Sequence, residues 1–121
     1  MDSKEILKTA VQAADSKSAQ DIVALDVHEV SLLADYFVIC SARNNRQIQA
    51  IVNDLVEQAQ KKQINVKNVE GKDGASWILI DLGDVIIHVF NQEEREFYNL
   101  EKLWAGAPLV DLSEWVQADG F

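Results

Sequence analysis

The stretch Trp77-Ile78-Leu79-Ile80-Asp81-Leu82-Gly83-Asp84-Val85-Ile86-Ile87-His88-Val89-Phe90 decides the fold, because it reads as a β-hairpin that is apolar on both faces. A two-residue loop with Gly at its first central position suits a type II′ turn, and Gly83-Asp84 fits that pattern. Leu82 then faces Val85. Counting outward pairs Asp81 with Ile86, Ile80 with Ile87, Leu79 with His88, Ile78 with Val89 and Trp77 with Phe90. Side chains alternate along a strand, so one face carries Ile78, Ile80, Leu82, Val85, Ile87 and Val89, an aliphatic core face. The other carries Trp77, Leu79, Asp81, Ile86, His88 and Phe90. Two readings of that mixed face stand side by side: a binding surface, or a second core layer under a helix of the same chain. His88 by itself reads as a packed or hydrogen-bonded residue, since nothing near it completes a metal set.

A chain of 121 residues, 48% apolar, is expected to form a single domain over residues 1–121 with one proper core. It contains no run of eighteen apolar residues and no basic start followed by an apolar stretch, so a cytoplasmic protein without a membrane span or secretory signal is expected. The single cysteine, Cys40, sits in the apolar run Tyr36–Cys40 and reads as a small buried hydrophobe. Twenty acids against eleven bases give a net charge of −9, which argues against nucleic-acid binding through the whole surface and favours a basic protein partner.

Outside the hairpin, Asp2 with Glu5 opens a first helix over residues 3 to 17. Residues 22–27 and 35–41 read as strands joined by a connection at 28–34, the second apolar enough to be covered on both sides. Ile48, Ile51, Val52, Leu55, Val56 and Ala59 recur at helical spacing and mark the clearest helix. Residues 64–70 read as an edge strand, turned into the hairpin by residues 71–74. A last helix is expected over 92–104, capped by Asn91, with Phe97, Leu100 and Trp104 on the core side and the stripe Arg95, Tyr98, Lys102 accessible. The tail from 109 to 116 is expected to cross the body as a short strand or helical turn. The order α-β-β-α-β-β-β-α implies an α/β domain with a mixed sheet of about five strands and flanking helices.

Chemistry is sparse. Neither G-x-G-x-x-G nor G-x-x-x-x-G-K-[ST] occurs, and no His or Cys spacing suits a metal. Asp81 and Asp84 could form an acid–base pair or hold magnesium, yet Asp is a common turn residue at such a hairpin tip. Asp26 and Asp35 flank a loop, where capping explains them. No nucleophile has a base in its neighbourhood.

The run Asp35-Tyr36-Phe37-Val38-Ile39-Cys40-Ser41, followed by Arg46-Gln47, Glu70-Gly71, Trp77 through Asp84, His88-Val89-Phe90, Arg95, Phe97-Tyr98, Leu100-Glu101, Leu103-Trp104 and Ala107-Pro108, closely resembles the ribosomal silencing factor family, also called RsfS or Iojap. The resemblance implies a nucleotidyltransferase-like fold without that superfamily's activity. It further implies a protein that binds large-subunit ribosomal protein number fourteen, blocks joining of the ribosomal subunits when nutrients are short, and forms homodimers. Asn44-Asn45 replace a frequent Ser or Thr before Arg-Gln, which touches a helix cap. Leu82 stands where Tyr is common, which alters contact detail without removing the surface.

The two lines of reasoning converge on one partner-binding surface: Glu70, Trp77, Leu79, Asp81, His88, Phe90, Tyr98 and Lys102. No catalytic, cofactor or metal residue is expected, and no sequence-specific nucleic acid or membrane. The competing readings are a nucleotide-handling enzyme suggested by fold alone, which is weak evidence, and a plain homodimerisation module that buries the Trp77 face. Ser41-Ala42-Arg43 with no following Asp-x-Asp lacks the Gly-Ser loop and paired aspartates that resemble the superfamily's catalysts. Calorimetry with ATP, GTP or CTP plus magnesium is therefore expected to show no saturable binding at micromolar levels. A heat of binding that vanishes in Asp81→Asn or Asp84→Asn would restore the enzyme reading.

Overall fold

The structure is a computed structural model that describes residues 2–71 and 75–116. Its elements are α1 (Ser3–Ser16), β1 (Gln20–Asp26), β2 (Tyr36–Ala42), α2 (Asn45–Lys61), β3 (Asn68–Glu70), β4 (Trp77–Asp81), β5 (Val85–Asn91), α3 (Gln92–Tyr98) and α4 (Leu100–Leu103). The five strands form one mixed sheet in the order β1-β2-β5-β4-β3. Only β2 and β5 run parallel, and α2 lies in the long crossover that a parallel pair requires.

The hairpin has the register read from its turn: Trp77 pairs with Phe90, Leu79 with His88 and Asp81 with Ile86. Leu82 donates its amide to the Val85 carbonyl at 2.9 Å. Gly83 has φ +90 and Asp84 has no positive φ, the type II′ signature. The Asp81 carboxylate accepts from the Gly83 amide at 2.8 Å, so its role at the tip is turn chemistry.

The aliphatic face of the hairpin is buried against α1 and α2. Ile80, Val85, Ile87 and Val89 are wholly enclosed with Leu7, Val11, Ile48, Ile51 and Leu55. Leu82 belongs to this core, so the expectation that it alters contact detail at the surface is corrected: the side chain lies inside the molecule. The opposite face carries a smaller core of Leu25, Val27, Phe37, Ile39, Ile86 and Phe90, flanked by half-buried Trp77, Leu79, Leu100 and Trp104. β2 accordingly contributes Val38 and Cys40 to one core and Phe37 and Ile39 to the other.

Asp2 caps α1 by accepting from the Glu5 amide at 2.9 Å. Asn44 caps α2 by accepting from the Gln47 amide at 2.8 Å, so the departure from Ser or Thr preserves the cap. Both helices end in a Schellman motif built without glycine. Ser18 (φ 63) and Gln63 (φ 61) take the left-handed position, while Ala19 and Ile64 return their amides to the carbonyls of Ala14 and Ala59 at 3.0 and 2.8 Å. This corrects the expected edge strand at 64–70, which is only Asn68–Glu70. Ile64 belongs to the helix cap and is buried in the main core. Pairing with β4 begins where Lys67 donates to the Asp81 carbonyl at 2.8 Å. Of the expected turn at 71–74, residues 72–74 lie outside the described residues; Gly71, at φ +121, has Ile78 Cγ1 only 2.9 Å from where a Cβ would stand.

The expected last helix is also corrected: it breaks at Asn99, which adopts φ 46, ψ 57 between α3 and α4. The tail behaves as expected. Leu109 bridges to Leu25, Val110 donates to the Ala24 carbonyl at 2.9 Å, and Trp115 closes a turn on Leu112.

Two substitutions are expected to move stability in opposite directions in chemical denaturation. Ile80→Ala removes enclosed methylenes and should cost ~2–5 kcal/mol. Gln63→Gly relieves a left-handed side-chain residue and should gain roughly 0.5–1 kcal/mol after the extra freedom of the unfolded chain is counted.

Candidate functional site

On the second face, the aromatic end of the hairpin forms a stack. The Trp77 indole lies over Phe90 with centroids 4.9 Å apart and planes at 27°, and Tyr98 of α3 packs on it at 4.7 Å. Trp77 Nε1–H donates to His88 Nδ1 at 3.2 Å, and the Phe37 ring meets the imidazole edge-on at 5.8 Å. Burial pushes the His88 pKa down to about 4, so at neutral pH the imidazole is uncharged and Nδ1 is the acceptor that the indole needs.

The expected surface residues therefore separate. Trp77, Leu79 and Asp81 are half-exposed, while Glu70, Tyr98 and Lys102 are exposed. Phe90, 1% exposed, and His88, 8% exposed, are covered by their own chain. Those two support the surface from beneath, so expecting them to face a partner is corrected, and the second-layer reading holds for them and for Ile86. The ladder places Glu70 beside Leu79 and Asn68 beside Asp81, which makes one continuous edge with Trp77. Lys102 lies beyond the Asn99 break, and among the described residues no ring contact or ion pair ties it to that edge.

The stripe expected on the last helix is corrected as well. Arg95 is buried at 7% exposure, whereas Phe97, expected in the core, is 79% exposed and meets Tyr98 edge-on at 5.1 Å. Sequence reasoning missed Phe97 as a surface residue because it treated the helix as continuous. Asn99 was the available signal, since Asn is the non-glycine residue that most readily takes the left-handed conformation. A second group of exposed apolar residues, Val30, Leu32 and Leu33, sits in the loop at 28–34. Asp35 donates to the Asp84 carbonyl at 2.8 Å, which holds that loop beside the hairpin tip.

The chemistry of the remaining candidates is quiet. Burial pushes the Cys40 thiol up to about 12, and the side chain is fully enclosed. Asp26 accepts from the amide and imidazole of His28; that contact holds the carboxyl below its usual range and raises the imidazole above its own. Among the described residues no three His, Cys, Asp or Glu side chains gather where a metal could sit, and no helix is long and apolar enough to cross a membrane. A concavity of about 400 Å³ at the start of α2 is lined by Lys17, Arg43 and Arg46 with no carboxylate to hold a cation.

The family model described as ribosomal silencing factor during starvation matches residues 1–120. The chain belongs to the ribosomal silencing factor family. A relative from Bacillus subtilis named ribosomal silencing factor RsfS is 54% identical over 112 residues, covering 93% of this chain and 95% of its own. The chloroplastic protein Iojap of Zea mays is 35% identical across 92% of this chain, which spans 50% of the maize protein. A crystal structure from Bacillus halodurans superposes with TM-score 0.81 at 48% identity, covering 90% of this chain and 99% of the other. The mixed five-stranded sheet with flanking helices is thus a fold this chain shares with a solved relative.

His88 gives the site a defined pH response. Its folded pKa of about 4 lies below the unfolded value near 6.5, so between them the unfolded chain binds a proton that the folded chain refuses. The stability it contributes is complete above pH 6.5 and is lost as pH falls toward 4, by roughly 3 kcal/mol at full expression. His28, raised by Asp26, contributes in the opposite sense, present below 6.5 and lost as pH rises. Thermal melts of His28→Gln between pH 7 and 5 are expected to show the fall, and adding His88→Gln should flatten it.

Proposed function

We propose that this chain is a ribosome-binding module that docks on the large subunit through its ribosomal protein number fourteen and sterically blocks joining of the small subunit when nutrients are limiting. The observation that carries the reading is the pair of half-exposed Trp77 and exposed Tyr98, stacked on a layer whose polar atoms are already satisfied. A large aromatic presented rigidly over such a layer gives up little freedom on binding, which is the character of an interface hot spot. The net charge of −9 suits a basic ribosomal protein and quickens encounter with it. The name of a mouse relative 36% identical over 91 residues, mitochondrial assembly of ribosomal large subunit protein 1, also ties the family to that particle.

Inhibition of this kind needs no covalent step, because a folded domain standing at an intersubunit contact excludes the other subunit by its volume. An interface of ~1,600 Å² suffices for specific docking. The contact set is Trp77, Leu79, Asp81, Glu70 and Tyr98, with Phe97 beside it and Lys102 at its margin. A homodimer is the second reading, favoured by the exposed Phe97, which a second copy could cover as well as a ribosomal protein.

The purified protein is expected to co-sediment with large subunits, not with small ones, and to lower the yield of joined ribosomes. Trp77→Ala should retain its fold and lose at least ~2 kcal/mol of that binding. Undiminished joining at saturating protein would refute the reading. Loss of self-association in Trp77→Ala, with ribosome binding intact, would assign the face to the dimer.

A further inference from the structure

Arg95 is the only buried ammonium or guanidinium among the described residues. Its Nε and Nη2 donate to the two carboxylate oxygens of Glu101 at 2.9 and 3.2 Å. Nη1 donates to Ser41 Oγ at 3.1 Å and to the Gln20 carbonyl at 3.3 Å, and Ser41 Oγ donates to that same carbonyl at 3.2 Å. One side chain thereby ties β1, β2, α3 and α4 together. Two left-handed non-glycine residues adjoin its acceptors. Asp21, at φ 50, lies in the β1 irregularity directly after the Gln20 carbonyl, and Asn99, at φ 46, lies two residues before Glu101.

Helical geometry explains why the second of these is needed. In an unbroken helix, residue 101 would stand about 240° round the axis from residue 95, out of reach of its guanidinium. The turn at Asn99 re-aims the chain so that Glu101 folds back onto Arg95, while Leu100 and Trp104 enter the second core. Tyr98 immediately precedes that turn and rests on Trp77 at 4.7 Å and Phe90 at 6.3 Å.

We propose that Arg95 and Glu101 are positioning residues for the aromatic surface: their ion pair fixes the left-handed turn at Asn99 and so holds Tyr98 against Trp77. For its binding arm this inference rests on the proposed function; its structural arm does not. The chain has only two tyrosines, and Tyr36 pairs with Val85 at the opposite end of β2 from Ser41, so ring-proton NMR reads Tyr98 with an internal control. In Glu101→Gln the Tyr98 ring signals, displaced in the parent by the Trp77 ring current, should move toward random-coil positions while those of Tyr36 stay. Unchanged Tyr98 signals would overturn the proposal. Glu101 is half-exposed, so this variant serves even if Arg95→Lys does not fold.

The binding arm is a double-mutant cycle on large-subunit affinity. Glu101→Gln should weaken the parent about five-fold or more and weaken Tyr98→Ala by less than about two-fold, because a residue acting through Tyr98 has nothing to act on once the ring is gone. Additive losses would mean that Glu101 serves stability alone. If the parent binds no large subunits, the proposed function fails, and the ring signals still decide the positioning role.

Discussion

Strand β5 is hydrogen-bonded on both edges and enclosed on both faces, and the molecule is arranged to meet that demand. From Val85 to Phe90 every residue is buried. The parallel partner β2 and the antiparallel partner β4 satisfy its backbone, and α1 and α2 cover one set of its side chains. The other set, Ile86, His88 and Phe90, needs a second cover, which comes from β2 side chains, Trp77 and the segment after the sheet. A one-residue slip of the hairpin would exchange the two sets, placing His88 among aliphatic side chains and Ile87 in the aromatic layer. The Gly83 turn prevents that slip, so a single left-handed glycine sets which groups are available at the surface.

The second cover is thin, and it is where polar groups enter. His88 survives burial because it stays neutral and its Nδ1 accepts a hydrogen bond from the Trp77 indole N–H. Arg95 survives because four acceptors surround its fork. Buried ion pairs seldom add net stability, but they penalise every arrangement that leaves the charge unpaired. Here the penalised arrangement is the straight helix that the local sequence would otherwise favour. The layer gives up some burial energy and gains a fixed geometry for Trp77 and Tyr98.

That geometry suits a surface that acts by being occupied. The thiol is enclosed and poorly ionised, and the tip carboxylate of Asp81 is engaged with its own turn, so the ordered polar groups maintain shape. On the proposed function, affinity and volume would do all the work, and selection would act on how rigidly the aromatic edge is held.

The sequence alone determined the hairpin, its register, the division of its two faces, both long helices and the mixed α/β class, because each is set by local periodicity and by caps within a few residues. Strand alternation put Trp77 on the mixed face, and helical spacing left Tyr98 accessible; both have exposed area in the fold. Tertiary structure decided what lies on which side of the aromatic layer. Phe90 and His88 went inside, Phe97 went outside, and Arg95 left the exposed stripe for the interior. The guanidinium of Arg95 is received inside by oxygens of Gln20 and Ser41, more than fifty residues away in the chain. Ile64 likewise joined a helix cap instead of a strand, since the left-handed residue before it is Gln63 and carries none of the usual glycine signal. Local pattern cannot register a long-range charge that must be paired, and that pairing shaped the surface.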